Sequence, residues 1–332
     1  MATLKAKNPK ELQQALRNSG ARDTILVTGE FGAVGLKGVR PEGGVTIRAA
    51  KPGAAHFESI VLSNCANLTF EGLRFWPNAP IPPSRGNRYL ITAYPNTSAI
   101  EVANCIFRGR VDSDDFSTWS LTDWRQFKVG AVLLRGPRSV IRNCAAVGVY
   151  FGFGVSGRSS EIFENRVFGF SGDGLRVTED NCVVIGNRVT DAMQIDRNHS
   201  DGLQAFKPKG LLNGLVVKDN VLIEWTVRPD NPLRAKMQGI GLHNGPYANV
   251  VMRDNSIACS TPNGIRLNAV RGLEVTGNRV RNVDGKRGKH PWIWVQRCSG
   301  RVVVTDNEAE NFNLQREAVV GGNSEPNYAV SY

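Results

Sequence analysis

An asparagine recurs at the end of short apolar segments, and this repeat constrains the fold more than any other feature of the chain. Typical segments read EIFENRV (Glu161–Val167), VVIGNRV (Val183–Val189) and LEVTGNRV (Leu273–Val280). The shortest interval, from Asn165 to Asn187, is 22 residues, and longer intervals fit loop insertions. We assign the repeat to Asn104, Asn143, Asn165, Asn187, Asn220, Asn255, Asn278 and Asn307.

A second apolar segment precedes each asparagine segment and begins with glycine, as in Gly174–Val177, Gly202–Ala205 and Gly264–Leu267. Both segments alternate with period two, which indicates strands, and neither shows a helical period. Coils of about 22 residues with short strands predict an all-β solenoid, a single-stranded parallel β-helix. Stacked coils would place the asparagines in one buried column whose amides hydrogen-bond to each other.

The two ends of the chain differ from the repeat. Residues 1–22 are predicted to form a cap with a short amphipathic helix, because Asn8 suits the N-cap and Pro9 the first helical position. Gly20 is expected to end this helix. Residues 23–312 are assigned to the β-helix and 313–332 to a C-terminal cap or arm. We read one domain, with loop insertions at 76–97, 110–128, 225–236 and 284–291.

Composition narrows the function classes. The 332 residues are 41% hydrophobic and 21% charged, and no run of about 18 apolar residues predicts a membrane span. Lys plus Arg exceed Asp plus Glu by 41 − 30 = 11, which favours a polyanionic partner, with simple solubility as the alternative. The six cysteines are scattered without a CxxC pair and are expected to be buried free thiols. A single disulfide is the alternative. No classical signal peptide is visible at the start.

Two aspartates immediately precede the glycine of neighbouring first strands, Asp173 in GDG and Asp201 in SDG. By register they lie one coil apart, and two close carboxylates can separate into an acid and a base. His199 lies just before Asp201, and His243 and Arg266 follow on later coils. The alternative for each is structural, since Asp before Gly is common turn chemistry and the other three can simply be surface residues.

The opening ELQQAL…DTILVTGEFG and the later NLTFEGLRF resemble the start of pectate-lyase-like right-handed parallel β-helix proteins. This family includes carbohydrate-active enzymes and phage tail-spike-type proteins, so the resemblance implies a right-handed helix but not one activity. The order of Asp173, Asp201, His243 and Arg266 also resembles the catalytic face of the polygalacturonase family, with its NTD, DD, GHG and RIK motifs. Here Ser171-Gly172 replace Asn-Thr, Ser200 replaces one Asp, and Leu267-Asn268 replace Ile-Lys.

Candidate substrate-binding residues lie in the insertions and on outward columns. Aromatic rings can stack on sugars or pack a loop onto the helix, and arginines after the repeat asparagine (Arg166, Arg188, Arg279) would form a basic stripe unless acidic neighbours interrupt it. The predicted substrate-binding residues are Trp119, Trp124, Arg166, Arg188, Gln204 and Lys236. The DSDD cluster at Asp112, Asp114 and Asp115 keeps calcium open as a cofactor beside a solvated acidic loop; no other metal or cofactor is expected.

The leading functional hypothesis is binding, and in one version degradation, of an acidic polysaccharide by a spike or fibre of a phage or virus-like particle. Other virion subunits and a homotrimer would then be partners, and the location would be extracellular or on the virion surface. The alternative is a secreted polysaccharide lyase or glycoside hydrolase acting on a uronate-containing glycan. A lyase needs a base and a cation to neutralise the uronate, and Lys207, Lys209, Arg234 and Lys236 are the candidates for these roles. Nucleic acid is the less favoured polyanion because no nucleic-acid-binding motif is present.

Overall fold

The protein is a right-handed parallel β-helix built from three parallel sheets. A computed structural model describes residues 1–82 and 87–328. Residues 83–86 of the predicted 76–97 insertion and residues 329–332 of the predicted 313–332 arm lie outside the described residues. The chain divides into two compact units, Met1–Phe168 and Gly169–Tyr332. The division into a cap, a helix and an arm at residues 22 and 312 stays a prediction.

In residues 1–168 the strands run in the order first, third, second sheet within most coils. The first sheet contains Thr3–Ala6, Asp23–Val27, Val45–Ala49, Ala66–Glu71, Ser98–Ala103, Val140–Arg142 and Glu161–Phe163. The second contains Ala33–Lys37, Ser59–Ser63, Tyr89–Ala93, Gly130–Leu134 and Phe153–Val155. The third contains Gly29–Glu30, Ala55–Phe57, Arg74–Phe75, Ile106–Arg108, Ala145–Val149 and Arg166–Phe170.

Residues 169–332 continue the same three kinds of strand. The first sheet contains Val183–Ile185, Val216–Lys218, Tyr247–Arg253, Val270–Thr276, Ser299–Thr305 and Val319–Gly321, with Leu212–Asn213 beside Tyr247–Arg253. The second contains Asp173–Val177, Ser200–Ala205, Met237–Leu242, Asn263–Asn268, Trp292–Gln296 and Asn311–Leu314. The third contains Arg188–Ala192, Val221–Ile223, Ser256–Cys259, Arg279–Asn282 and Glu308–Ala309.

The predicted N-terminal helix is present as α1, Pro9–Asn18, which packs against the strands on either side of it. The Asn8 side chain accepts a hydrogen bond from the Glu11 backbone N–H at 3.0 Å, as expected for an N-cap. The last helical residue is Asn18 and the C-cap is Ser19, so Gly20 is the first residue after the cap. The strand Thr3–Ala6 before it was not predicted; it pairs with Asp23–Val27.

Glycines of the second sheet in residues 169–332 are explained by close packing. A Cβ at Gly174 would collide with the Val189 side chain, and one at Gly264 would collide with Val280. Gly202 faces Leu222 in the same way. Val189, Leu222 and Val280 line the inner side of the third sheet, so glycine lets the two sheets approach at this point of each coil.

An amide ladder closes each coil between the first and third sheets in residues 169–332. Both the backbone N–H and the side-chain NH₂ of Asn220 donate to Oδ1 of Asn255, at 3.1 and 2.9 Å. The second NH₂ proton of Asn220 goes to the Val184 carbonyl at 3.0 Å. The pattern repeats along Asn187, Asn220, Asn255, Asn278, Asn307 and Asn323. The predicted buried amide column is therefore confirmed here, with Asn323 as a further member.

In residues 1–168 two of the predicted ladder positions are wrong by one residue. Cys144 and Cys105, not Asn143 and Asn104, take the ladder place. The Cys144 N–H donates to Asn165 Oδ1 at 2.9 Å, and the Cys105 N–H donates to Cys144 Sγ at 3.4 Å. Asn104 and Asn143 are exposed, with φ of 55° and 53°, so they supply the left-handed turn residue instead. The six cysteines are free thiols.

Two insertions differ from the prediction. The segment assigned to 76–97 contains the core strand Tyr89–Ala93, which pairs with both of its neighbours in the second sheet, so its irregular part is shorter. The 110–128 insertion contains a 3-10 helix, Ser113–Thr118, and a short helix α2, Leu121–Gln126, neither of which was predicted. The Ser120 side chain caps α2 by accepting from the Asp123 N–H at 3.2 Å.

Candidate functional site

Asp173 and Asp201 lie side by side on neighbouring strands of the second sheet. They are direct register partners, so their Cα atoms are about 4.8 Å apart. Asp173 is 4% exposed and Asp201 is fully buried. The structure thus brings the two predicted carboxylates together, one coil apart.

The two carboxylates have different partners. Arg176 forms two hydrogen bonds with Asp173 Oδ2, from Nε at 2.7 Å and from Nη2. Asp201 Oδ2 accepts from Gln204 Nε2 at 2.9 Å and lies 3.4 Å from Nδ1 of His199. Asp201 Oδ1 has no hydrogen-bond partner among the described residues. Only Asp173 is therefore paired with a permanent cation.

This difference sets the order in which the pair titrates. Burial, and then the negative charge of Asp173, raise the pKa of Asp201 to about 8. Burial also raises the pKa of Asp173, but Arg176 and a hydrogen bond from the Asp201 backbone oppose that rise. When the pair holds one proton, the contacts favour Asp201 as its carrier.

His243 and Arg266 lie on the same face at successive coils. The His243 ring lies over Gly241, where a Cβ would collide with Nε2, and Gly241 pairs with Arg266 in register. Burial, then Arg266 and His199, lower the pKa of His243 to about 4, so the ring is neutral at neutral pH. Arg266 Nη1 is 3.3 Å from Asn263 Oδ1, and its guanidinium lies 5.2 Å from the centre of the Trp294 ring.

Unpaired buried polar atoms gather on this face. Within the described part of the chain, the buried side-chain atoms of this region without a hydrogen-bond partner are Ser171 Oγ, Asn198 Oδ1, Asp201 Oδ1, His243 Nε2 and Arg266 Nε. Buried polar groups are nearly always paired in folded proteins, so such a concentration indicates a place prepared for a ligand. The predicted catalytic set of Asp173, Asp201, His199, His243 and Arg266 falls on this face; the role of each residue stays a prediction.

Two predicted substrate-binding aromatics are buried. Trp119 and Trp124 are 6% and 2% exposed and pack edge to face, with ring centres 5.1 Å apart. Arg110 adds its guanidinium over Trp119. They form the core of the 110–128 loop, and this placement does not favour the sugar-stacking role predicted for them.

The predicted basic stripe is interrupted in residues 169–332. Arg188 and Arg279 lie in one column but are separated by Val221 and Ser256, and Arg279 is paired in register with Glu308. Arg188 and Arg279 do not form a continuous basic stripe, because the two coils between them carry Val221 and Ser256 at this position. Arg166, in the other unit, is exposed, as is Lys236 in the 225–236 loop, whereas Gln204 contacts Asp201 directly.

Three of the other candidates for metal binding and proton transfer, Asp112, Asp114 and Lys207, are paired with opposite charges. Asp112 forms an ion pair with Arg110, and Asp114 lies 2.6 Å from Arg108. Across residues 1–82 and 87–328, no group of three His, Cys, Asp or Glu side chains is placed to hold a metal ion. Lys207 binds Asp180 at 2.8 Å and Glu179 at 3.0 Å, which raises its pKa and disfavours it as a base.

Sequence reasoning missed Arg176 and the outward position it marks. The tetrapeptides DGLR, DGLQ, QGIG and NGIR, starting at Asp173, Asp201, Gln238 and Asn263, align in register, and their first and fourth residues face outward. The register shifts between Asn263 and Ile265, which indicates a bulge at the glycine. The alignment of these four tetrapeptides was the sequence signal that could have revealed the outward position of Arg176.

Comparisons with known proteins agree on the fold. No family model matches the chain, and no curated protein matches it. An alginate lyase of family PL6 aligns with 96% of this chain at 12% identity and a TM-score of 0.45, and the chain spans 53% of that enzyme's length. A GH136 lacto-N-biosidase from Eubacterium ramulus aligns with 98% at 11% identity and a TM-score of 0.52, with 67% of its own length covered.

A mutant tailspike protein of E. coli bacteriophage HK620, in complex with a hexasaccharide, aligns with 90% of the chain at 12% identity and a TM-score of 0.49, with 59% of its own length covered. The likeness to the lacto-N-biosidase is one of fold, and together with the three parallel sheets it confirms the parallel β-helix predicted from the sequence. No helix among the described residues is long and apolar enough to cross a membrane.

Proposed function

We propose that the protein binds an acidic polysaccharide on the outer face of the second sheet in residues 169–332 and hydrolyses it with Asp173 and Asp201. The observation that carries this proposal is the asymmetry of the carboxylate pair. Asp173 is held by Arg176, whereas Asp201 has no such cation and a pKa of about 8. Glycoside hydrolysis needs one protonated and one ionised carboxyl group.

In this proposal Asp201 donates its proton to the leaving oxygen of the glycosidic bond. The ionised Asp173, oriented by Arg176, accepts a proton from the water molecule that attacks the anomeric carbon, so the new C–O bond forms as the glycosidic bond breaks. Gln204 orients the Asp201 carboxyl group through its hydrogen bond to Oδ2. His243 is a neutral hydrogen-bonding group beside Arg266, and His199, which is 62% exposed, lies 3.4 Å from Asp201 Oδ2. The excess of basic residues, 11 in the whole chain, favours an anionic substrate.

The test is incubation with a panel of acidic glycans, followed by two assays on the same samples. Hydrolysis creates reducing ends without ultraviolet absorbance, whereas a lyase creates unsaturated sugars that absorb. We expect reducing ends alone. Absorbing products would replace the Asp173–Asp201 mechanism with β-elimination, the alternative chemistry for a uronate-containing glycan.

The second candidate is a spike or similar surface protein that binds an acidic polysaccharide without cleaving it. The burial of Asp201, whose side chain is fully covered in this structure, favours this reading, because a general acid must reach the glycosidic oxygen. A homotrimer, other virion subunits and an extracellular or virion-surface location belong to this candidate. Tight binding of a glycan that never gains reducing ends would select it.

A further inference from the structure

The outer face of the second sheet continues beyond the aspartate pair as a row of polar and then aromatic side chains. In register, Asp201 is followed by Gln238, Asn263 and Trp292 on successive strands. A parallel column runs from Gln204 through Gly241 and Arg266 to Trp294. The residues between these columns are buried; Ile240, Ile265 and Ile293, for example, are fully covered.

Trp292 and Trp294 form a rigid aromatic pair at the end of this row. Their rings are nearly parallel, with centres 5.7 Å apart and an interplanar angle of 13°. Both side chains are partly exposed, and the indole N–H of Trp292 donates to the Lys289 carbonyl, which fixes that ring. Large, pre-oriented aromatic surface beside water suits contact with the C–H face of a sugar.

The floor between the aspartates and the tryptophans carries polar groups that can bind hydroxyls. Asn263 Nδ2 donates to Gln238 Oε1 at 3.1 Å, so these two amides hold each other in place. His243 Nε2 and Arg266 Nε are buried and unpaired within the described residues. The row therefore offers polar contacts first and apolar contact at its far end, as a sugar chain requires.

The distance between the two ends sets the length of the ligand. Asp201 and Trp292 are three strand spacings apart, about 14 Å at about 4.8 Å for each strand. A disaccharide placed on the aspartate pair is too short to reach the tryptophans. A longer oligosaccharide crossing the strands would contact both.

We infer that Trp292 and Trp294 form a distal sugar-binding subsite, and that the glycan crosses the strands of the second sheet from the aspartate pair over His243 and Arg266 to this subsite. The inference rests on the proposed function, because it extends the same site. It makes the ligand an acidic oligosaccharide longer than a disaccharide, and it makes the tryptophan pair a determinant of chain length rather than of bond cleavage.

The experiment measures binding of acidic di- and hexasaccharides, from galacturonate and alginate series, to the Asp201→Asn protein, so that cleavage does not interfere. We expect the hexasaccharide to bind more tightly than the disaccharide. Trp292→Ala and Trp294→Ala should each weaken hexasaccharide binding roughly 3- to 10-fold and leave disaccharide binding unchanged. Trp292→Phe, which keeps an aromatic ring, should lose less.

Trp76→Ala is the matched control, because Trp76 is also partly exposed and stacked, on His56, but lies in the other unit. It should bind both sugars like the parent. Equal losses for the short and the long sugar, or none for either, would overturn the subsite and leave the proposed function standing. Should a tryptophan variant fail to fold, equal affinities of the parent for the two lengths would still overturn it. Absence of binding by every acidic glycan tested would overturn both.

Discussion

The amide ladder and the aspartate pair are both buried polar columns in residues 169–332, yet only the ladder satisfies its own hydrogen bonds. An amide carries donors and an acceptor, so Asn220 can bind identical groups above and below it. An ionised carboxylate only accepts, so Asp173 and Asp201 cannot satisfy each other without a proton or a cation. A stacked column of side chains satisfies its own hydrogen bonds when each side chain carries both donors and acceptors. When the side chains only accept, the column needs a proton, a cation or a ligand.

The largest expected effect is on turnover. Asp201→Asn should reduce cleavage of a glycan substrate by about 10²- to 10⁴-fold while preserving binding, because the amide keeps the size of the side chain but cannot deliver a proton. Initial rates of reducing-end formation measure this.

The matched control for that variant is Glu224→Gln. Glu224 is also fully buried, but both of its oxygens are bound by Ser260, at 2.7 Å each. It should lower stability rather than turnover. Full activity in Asp201→Asn would remove this residue from the mechanism and make the two columns functionally alike.

The next effect is on stability. Asn220→Leu should lower the free energy of unfolding by about 2–4 kcal/mol, because it leaves the two donors of Asn187 without their acceptor. Denaturant unfolding gives the value. Asn143→Leu makes the same substitution at the turn position, one residue before the ladder position. It should lower the free energy of unfolding by about 1–2 kcal/mol, because leucine disfavours the left-handed backbone that Asn143 adopts. Equal losses at the two positions would mean that the ladder adds nothing beyond turn geometry.

A smaller effect concerns pH. Folding raises the pKa of Asp201 to about 8, above about 4 for an unfolded aspartate, so the folded state retains a proton that the unfolded chain releases. Stability therefore falls as pH rises through this window, and Asp201→Asn lacks that fall. At pH 8 the variant should therefore be the more stable of the two proteins, with a Tm higher by a few °C or more.

The advantage of Asp201→Asn should disappear towards pH 4. His243, whose lowered pKa acts in the opposite sense as pH falls, is present in both proteins and cancels from the difference. Parallel Tm curves from pH 4 to 8 would show that Asp201 has an ordinary pKa.

The smallest effect separates the thiol and amide parts of the ladder. Cys144→Ala removes only weak hydrogen bonds: the thiol accepts from the Cys105 N–H at 3.4 Å and contacts the carbonyls of Val102 and Arg142 at 3.5 and 3.2 Å. We expect a loss of about 1 kcal/mol, measured by the same denaturant titration. A loss as large as that of Asn220→Leu would make the thiols equal members of the ladder.

The asparagine repeat was enough to predict the fold. The residue at the ladder position was predicted correctly only in the coils where the asparagine itself occupies that position. In VANC and RNC the asparagine fills the turn position and the cysteine the ladder position, and sequence alone does not separate the two. The grouping of Asp173, Asp201, His243 and Arg266 followed from coil register. Arg176 was missed because its role depends on the ion pair with Asp173, and Trp119 and Trp124 lie in an insertion whose packing no period describes.

The ladder also has a direction, and this bears on how the chain folds as it is made. From Asn187 to Asn307 the backbone N–H and one side-chain N–H of each ladder asparagine donate to Oδ1 of the asparagine in the following coil. Synthesis runs the same way, so a coil that has just emerged presents two donors that only the coil still to be translated can satisfy. Each finished turn is thus a template that holds the register of its successor, and growth from the other end would meet acceptors instead.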